Sequence, residues 1–430
     1  MTSLQPYDEY KQSGVEWIPD VPTSWQLARL KSRVQLVTDR AEGRSYPVAL
    51  ENIEGWTGRL VESTTEFAAE GIEFSAGDVL FGKLRPYLAK SWAADRPGEA
   101  VGDIYVMRPG TNLNPKFLNY LTLNSQFIAL VDGSTFGSKM PRVSWDFIAN
   151  ILHPFPDPEV QRQIVAFLDR ETAQIDELIG KQERLIELLA EKRQAIITQA
   201  VTKGLDPTAP TTPSGIPWQG PVPEHWTVQP LKNLMRMQTG VTLGKDFSDV
   251  ETETYAYLRV ANVQIGYVDL KDVKEIDLPT EVAASSILQP GDVLMTEGGD
   301  RDKLARGCIW DGSISPCVHQ NHIFAVRTGP QLLNSFLVLL LDADPARAYF
   351  YLTGKQSTNL ASTNSTTVKN FRFGVPPISE QLRIVTHLKT KTLQIDDLVE
   401  KAKAVISTLK ERRSALISAA VTGKIEVGSS

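Results

Sequence analysis

Gln174-Ile175-Asp176-Glu177-Leu178-Ile179-Gly180-Lys181 returns as Gln394-Ile395-Asp396-Asp397-Leu398-Val399-Glu400-Lys401, 220 residues later. The match extends in the same register. Ile186, Leu189, Glu191, Arg193, Ala195 and Ile197 recur as Ile406, Leu409, Glu411, Arg413, Ala415 and Ile417, and Ala200-Val201-Thr202 recurs as Ala420-Val421-Thr422. Each copy starts after prolines (Pro154, Pro156, Pro158; Pro376, Pro377) and then contains none, which suits a helix start and an unbroken interior. Two long helices are therefore predicted, over 158–204 and 378–424. Within them Ile175, Leu178, Leu185 and Leu189, and likewise Ile395, Leu398, Val405 and Leu409, recur at helical spacing among charged residues. That is the stripe of a helix packed along another helix. About 45 residues at ~1.5 Å each span roughly 65 Å, too long for a core helix of one small domain. Either the two copies pack on each other as a two-helix spacer, or each caps its own domain. The regularity of the repeat favours the spacer.

With 430 residues the chain is long enough for two or more domains. Its 42% hydrophobic and 22% charged residues are those of an ordinary soluble protein. No apolar run approaches a membrane span, and Met1-Thr2-Ser3-Leu4-Gln5-Pro6 lacks signal-peptide character. Two cysteines, Cys308 and Cys317, make no disulfide framework, so the expected location is the cytoplasm. A formal charge of -6 gives no global sign of nucleic-acid binding; a DNA partner would need basic residues gathered on one face.

A second pair of repeats precedes the helices. Ser13-Gly14-Val15-Glu16-Trp17 through Trp25 and Leu30-Lys31 returns as Ser214-Gly215-Ile216-Pro217-Trp218 through Trp226 and Leu231-Lys232, shifted by 201. These Pro-rich stretches are extended or turning. Their tryptophans could stack on bases, but docking onto the helices is the better reading, because a sequence-reading surface should differ between halves. Between each anchor and its helix lies a segment of mixed pattern. Gly77-Asp78-Val79-Leu80 is matched by Gly291-Asp292-Val293-Leu294, shifted by 214. Strands are also expected at 104–107 and 322–327, and helices over 115–131 and 332–341. Shifts of 201, 214 and 220 rise along the chain, so the halves are collinear duplicates. The predicted order is an anchor and mixed domain over 1–157, a helix over 158–204, a linker and second anchor over 205–232, a mixed domain over 233–377, and a helix over 378–424. The fold class is α+β: two mixed domains joined and separated by two long antiparallel helices with an internal pseudo-twofold.

This order resembles the specificity (S) subunit of type I restriction-modification systems. The resemblance covers nearly the whole chain. It rests on Trp17-x-x-x-x-Pro22-x-x-Trp25, Gly77-Asp78-Val79-Leu80-Phe81-Gly82-Lys83-Leu84-Arg85-Pro86-Tyr87-Leu88, the 291–300 string, His319-Gln320-Asn321-His322, the helix start Glu380-Gln381-Leu382-Arg383-Ile384-Val385, and the helical repeats. The family implies two target-recognition domains, each reading half of a split double-stranded DNA target, with the helices as spacer. It implies two modification subunits that methylate adenine, and restriction subunits that translocate and cut DNA. S-adenosylmethionine, ATP and Mg would belong to those partners, with no cofactor and no catalytic residue in this chain. A cytoplasmic coiled-coil scaffold without DNA affinity is the alternative; it explains the helices but not the strand-rich domains.

The residues agree on the missing chemistry. No Asn-Pro-Pro-Tyr occurs to clamp a flipped adenine; the nearest string is Val375-Pro376-Pro377-Ile378. Gly240-Val241-Thr242-Leu243-Gly244-Lys245-Asp246 is one residue short of a phosphate loop and ends in Asp. Cys308, Cys317, His319 and His322 are zinc-ligand types, but their spacing fits no familiar finger, so no metal is expected. Candidate DNA contacts in the first domain are Lys83, Arg85, Tyr87 and Lys90 after the Gly-Asp-Val-Leu strand, and Ser138, Lys139 and Arg142 in a polar loop. Lys and Arg neutralise phosphates, and Arg can grip guanine with two bonds. In the second domain they are Glu297, Arg301, Lys303 and Arg306, then His319, Gln320 and Asn321, then Lys355, Gln356, Asn359 and Asn364. Amides can pair adenine and Glu can accept from cytosine. Ordinary solvated loops share this composition.

Overall fold

The computed structural model describes residues 5–41, 46–61, 71–242, 244, 247, 250–301, 304–305, 307–356 and 361–427. The chain divides into two compact units, Met1–Glu183 with Ala402–Ser430, and Arg184–Lys401. The long helices are Pro158–Lys203 and Ile378–Val421. Each unit thus holds one stretch of each helix and one mixed domain.

Both mixed domains are built on a four-stranded antiparallel sheet. In the first unit the order is Val34–Val37, Ile104–Pro109, Val79–Gly82, Ser91–Ala93; in the second it is Met235–Thr239, Ile323–Thr328, Val293–Thr296, Gly307–Ile309. The duplicated Gly-Asp-Val-Leu motif has a structural explanation. Gly77 and Gly291 take φ of +93° and +96°, where a side chain is strained. Asp78 and Asp292 are buried, and each closes its turn by accepting an N–H, from Ser75 and Gln289. Each also receives a two-pronged ion pair from the neighbouring strand: Arg108 to Asp78 at 2.7–2.8 Å, and Arg327 to Asp292 at 2.8 Å. A buried carboxylate costs several kcal/mol unless it is paired in this way.

One helix expected over 115–131 is two, Pro115–Thr122 and Ser125–Gly133. Asn124 restarts the second, its side chain accepting the Gln126 and Phe127 N–H groups. Its counterpart, expected over 332–341, is the single helix Asn334–Asp342, and a second helix that was not expected follows at Asp344–Thr353.

A buried glutamine ties each long helix to its domain. Gln161 accepts the Asn114 N–H at 2.8 Å and donates to Asn112 O and Pro156 O. Gln381, its repeat, accepts the Leu333 N–H at 2.8 Å and donates to Gln331 O at 2.9 Å and Pro376 O at 2.8 Å. The anchor tryptophans Trp25 and Trp226 also dock on helices. Trp25 shares a core cluster with Ile417, Ala420 and Val421, and Trp226 one with Ile197, Ala200 and Val201. Trp226 Nε1 donates to Glu380 at 3.2 Å.

The helical stripe needs a correction. Ile175, Leu189 and Ile395 are buried and Leu409 is half-buried, but Leu178, Leu185, Leu398 and Val405 are 41–48% exposed. The inward positions run instead through Thr172, Ile175, Ile179, Gln182, Ile186 and Leu189, and through Ile395, Val399, Ala402, Ile406, Leu409 and Arg413. At ~100° per residue, Leu178 and Leu185 sit about 60–80° to one side of Ile175. Among the described residues an ion pair joins the helix stretches of each unit. Arg413 meets Asp176 in the first unit and Arg193 meets Asp396 at 2.6 Å in the second, and these are repeats of one another at the 220-residue shift.

Candidate nucleic-acid interface

In the first unit the Val79–Gly82 strand runs into a tight turn in which Arg85 has φ of +50° and Ala89 +45°. The Arg85 N–H donates to Pro141 O at 2.8 Å. Leu84 bridges Arg142, which bridges Phe136 in turn. Three segments, around 84, 142 and 136, therefore lie side by side. The second unit repeats this as a small sheet, Gly298–Gly299, Ala361–Ser362, Lys355–Gln356 in that order. The same three places in the fold thus carry the candidate contacts in both halves, while their side chains differ.

The first cluster brings together exposed Arg85, Tyr87, Ser138 and Lys139. The Arg85 guanidinium lies 3.5 Å from Lys139 O, and neither Arg85 nor Lys139 makes an ion pair among the described residues. Arg142 is held differently, forking onto Asp103 at 2.7 and 3.0 Å. Lys83 lies 3.7 Å from the same carboxylate and over the Tyr105 ring. Arg142 and Lys83 together hold the Asp103 carboxyl below the usual range, against partial burial. Lys90 turns inward to donate to Leu50 O, and burial lowers its pKa. Arg142 and Lys90 thus act inside the domain. Sequence reasoning missed Phe136 and Met140, which are 62% and 48% exposed in the same loop. Exposed large apolar side chains beside cations were the available cue.

In the second cluster Arg301 lies 4.2 Å over the Tyr351 ring, donates to Tyr351 O at 3.1 Å, and sits 3.4 Å from the Gln356 Oε1. Lys355 and Gln356 are exposed. Glu297 pairs with His322 Nδ1 at 2.6 Å. His319 is fully buried, and burial pushes its pKa down to about 4. Gln320 accepts the Val260 N–H, and Asn364 caps the helix Ser365–Asn370 by accepting the Thr367 N–H. Asn321 is half-buried, its N–H donating to Val241 O. These four stabilise the fold around the cluster; His319 does not reach the surface. Lys303, Arg306 and Asn359 lie outside the described residues, as do Leu243, Lys245 and Asp246 of the glycine-bearing loop. Cys308 and Cys317 are buried in one apolar cluster that pushes both thiols up to about 12, whereas His322 is exposed. Among the described residues no helix is long and apolar enough to cross a membrane.

No family model matches the chain. It is 22% identical to the type I restriction enzyme MjaVIII specificity subunit of Methanocaldococcus jannaschii, over 95% of this chain and 94% of that protein. It is 21% identical to the EcoKI specificity subunit of Escherichia coli K12, over 74% of this chain and 68% of that one. In fold it is similar to a chain of a solved type I R-M system studied for complex assembly and conformational transition, with a TM-score of 0.72 and 18% identity over 94% of this chain and 99% of that one. The HsdS subunit of Thermoanaerobacter tengcongensis matches with a TM-score of 0.53 and 18% identity, over 94% and 98% of the two chains.

Proposed function

We propose that this chain works as the specificity subunit of a type I restriction-modification system, the reading that its likeness to such subunits in sequence and fold supports. Each mixed domain reads one half of a split DNA target, and the paired helices set the distance between the halves. The observation that carries this is the duplicated three-segment cluster, constant in its backbone places and different in its side chains. Arg85, Tyr87, Ser138 and Lys139 are the reading surface of the first domain, and Arg301, Lys355 and Gln356 of the second. The chain does no chemistry itself. Two modification subunits, one per half, carry S-adenosylmethionine and methylate adenine; restriction subunits carry ATP and Mg. The exposed leucines Leu178, Leu185 and Leu398, with charged Glu183, Arg184, Glu187, Lys192 and Arg193 beside them, give the helices a surface for the modification subunits.

The test is methylome sequencing of a methylation-deficient host expressing this chain with its modification subunits. A bipartite methylated motif is expected, and none without this chain. Replacing 233–377 with the equivalent domain of a relative should change one half of that motif only. Both halves changing together would sink the two-reader reading.

A further inference from the structure

Arg413 is an unusual arginine. It sits in a 44-residue helix, yet only 6% of its surface is exposed. Its Nε donates to Asp176 at 3.0 Å. Its Nη1 donates to Trp56 O at 2.6 Å, and its Nη2 to Thr57 O at 3.1 Å. The guanidinium thus spends one side on the partner helix and the other on two successive carbonyls of a surface turn. Trp56 has φ of +66°, a conformation a non-glycine residue keeps only when its surroundings hold it.

That turn leads to the candidate reading loop. The Trp56 N–H donates to Ala89 O at 2.9 Å. A Cβ on Gly55 would stand 2.4 Å from Leu88 O, so the two backbones touch without a side chain between them. The path runs Asp176, Arg413, the Trp56 peptide, then 88–89, with Arg85 and Tyr87 just before. A cavity of about 580 Å³ opens beside the clamp, lined by Trp56, Arg59, Gly180, Glu183, Lys410 and Glu411 among others. The turn is closed by its own bonds, Glu54 N–H to Arg59 O at 2.9 Å and Thr57 Oγ1 to Glu54 at 2.9 Å, and the guanidinium ties it to the helices.

Among the described residues the other half ties its turn to the strand Gly307–Ile309, Gly266 N–H to Gly307 O at 3.2 Å, but has no guanidinium on the turn's carbonyls. Arg193, the repeat of Arg413, has a 40% exposed side chain and holds Asp396. The corresponding turn at Gln264–Tyr267 contains Gly266, with φ of +78°, and Ile265 and Gly266 line a smaller cavity of about 150 Å³ with Ile197 and Leu341.

We propose that Arg413 is a positioning residue: through the Trp56 and Thr57 carbonyls it sets the place of the 85–89 loop, and hence base discrimination in the half-site that the first domain reads. This rests on the function proposed above. The test uses the full chain assembled with its modification subunits, and compares Arg413→Ala and Gly55→Ala with the wild type by methylome sequencing. Gly55→Ala pushes on the same path from its far end without touching the helices. Arg413→Ala and Gly55→Ala should raise methylation at sites with one mismatch in the first half by about tenfold relative to the cognate site, well within what a mismatched pair normally costs. Mismatches in the second half should stay as rejected as in the wild type. If Arg413→Ala does not accumulate as folded protein, Gly55→Ala decides alone. Lower methylation of an unchanged motif would make Arg413 a stability residue and overturn the proposal, as would relaxation of both halves. A wild-type complex that methylates no bipartite motif would instead remove the functional reading itself.

Discussion

Gln381→Ala should weaken the second unit by about 3 kcal/mol. Gln381 is fully buried and makes three hydrogen bonds, to Leu333 N, Gln331 O and Pro376 O. Alanine leaves one donor and two acceptors without partners. Each unsatisfied buried group costs ~1–3 kcal/mol, and partial access of water to the vacated space keeps the sum near the lower end. In urea, with a slope of roughly 2–3 kcal/mol/M for a unit of this size, the midpoint should fall by about 1 M. Exchange of the Leu333 amide should quicken on the order of 100-fold, since ~2.7 kcal/mol corresponds to that ratio. Gln381→Glu should be worse at neutral pH, because a carboxylate would then face two carbonyl oxygens. Its folded pKa would be raised, so the penalty grows as pH rises above ~4.3 and fades below it. A midpoint shift under ~0.2 M for Gln381→Ala, with Leu333 exchange unchanged, would refute the reasoning.

Arg85→Ala should cost ~1–3 kcal/mol of binding by the assembled complex and relax one position of one half-site, read by methylome sequencing; equal loss on all sequences would make it a phosphate contact. Four residues inserted after Leu189 add about one turn, roughly 6 Å, and should lengthen the methylated gap by one or two base pairs at ~3.4 Å each. Two inserted residues rotate the rest of the helix by ~200° and should abolish activity, because Ile196 and Ile197 then leave the inner face. An unchanged gap in an active four-residue variant would show that the helices do not set it. His319 has a folded pKa lowered to about 4 by burial, so its contribution is full above the unfolded value near 6.5 and is lost as pH falls from there toward 4. Urea stability of the second unit should drop by up to ~3 kcal/mol across that window, and His319→Gln should remove that drop while leaving the one from buried His153 in the first unit.

The long helices and their duplication were legible because periodicity and repetition survive in local sequence. Their inner face was misplaced by about one residue. Leu178 and Ile179, like Leu185 and Ile186, are adjacent apolar pairs, and only the partner helix decides which member turns inward. The break at 123–124 was legible in principle, since Asn124 before Ser-Gln-Phe is a capping residue, but the apolar run across it masked the cue. The candidate contacts fall largely in three adjacent segments of each domain, but their side-chain partners were not legible. Arg142 and Lys83 look alike beside Arg85, yet Asp103 captures the first two from 39 and 20 residues away, and sequence does not show pairings of that range. The Gly-Asp-Val-Leu motif lies at the start of a strand that leads into the loop, and its buried aspartate serves the turn and the sheet.

The make-up of the first unit has a consequence for synthesis on the ribosome. The second unit is one uninterrupted stretch, Arg184–Lys401, and can close its core as soon as that stretch emerges. The first is completed by Ala402–Ser430, whose Ile417, Ala420 and Val421 join the cluster around Trp25. The domain made first therefore finishes last. Until then it must keep the apolar floor under Trp25 and Leu30 in solution, and the Trp56 turn that Arg413 holds stays unclamped while more than two hundred residues are added, ten seconds or more at ~5–20 residues per second. A message broken shortly before codon 402 would leave a folded second unit attached to an exposed, aggregation-prone first one.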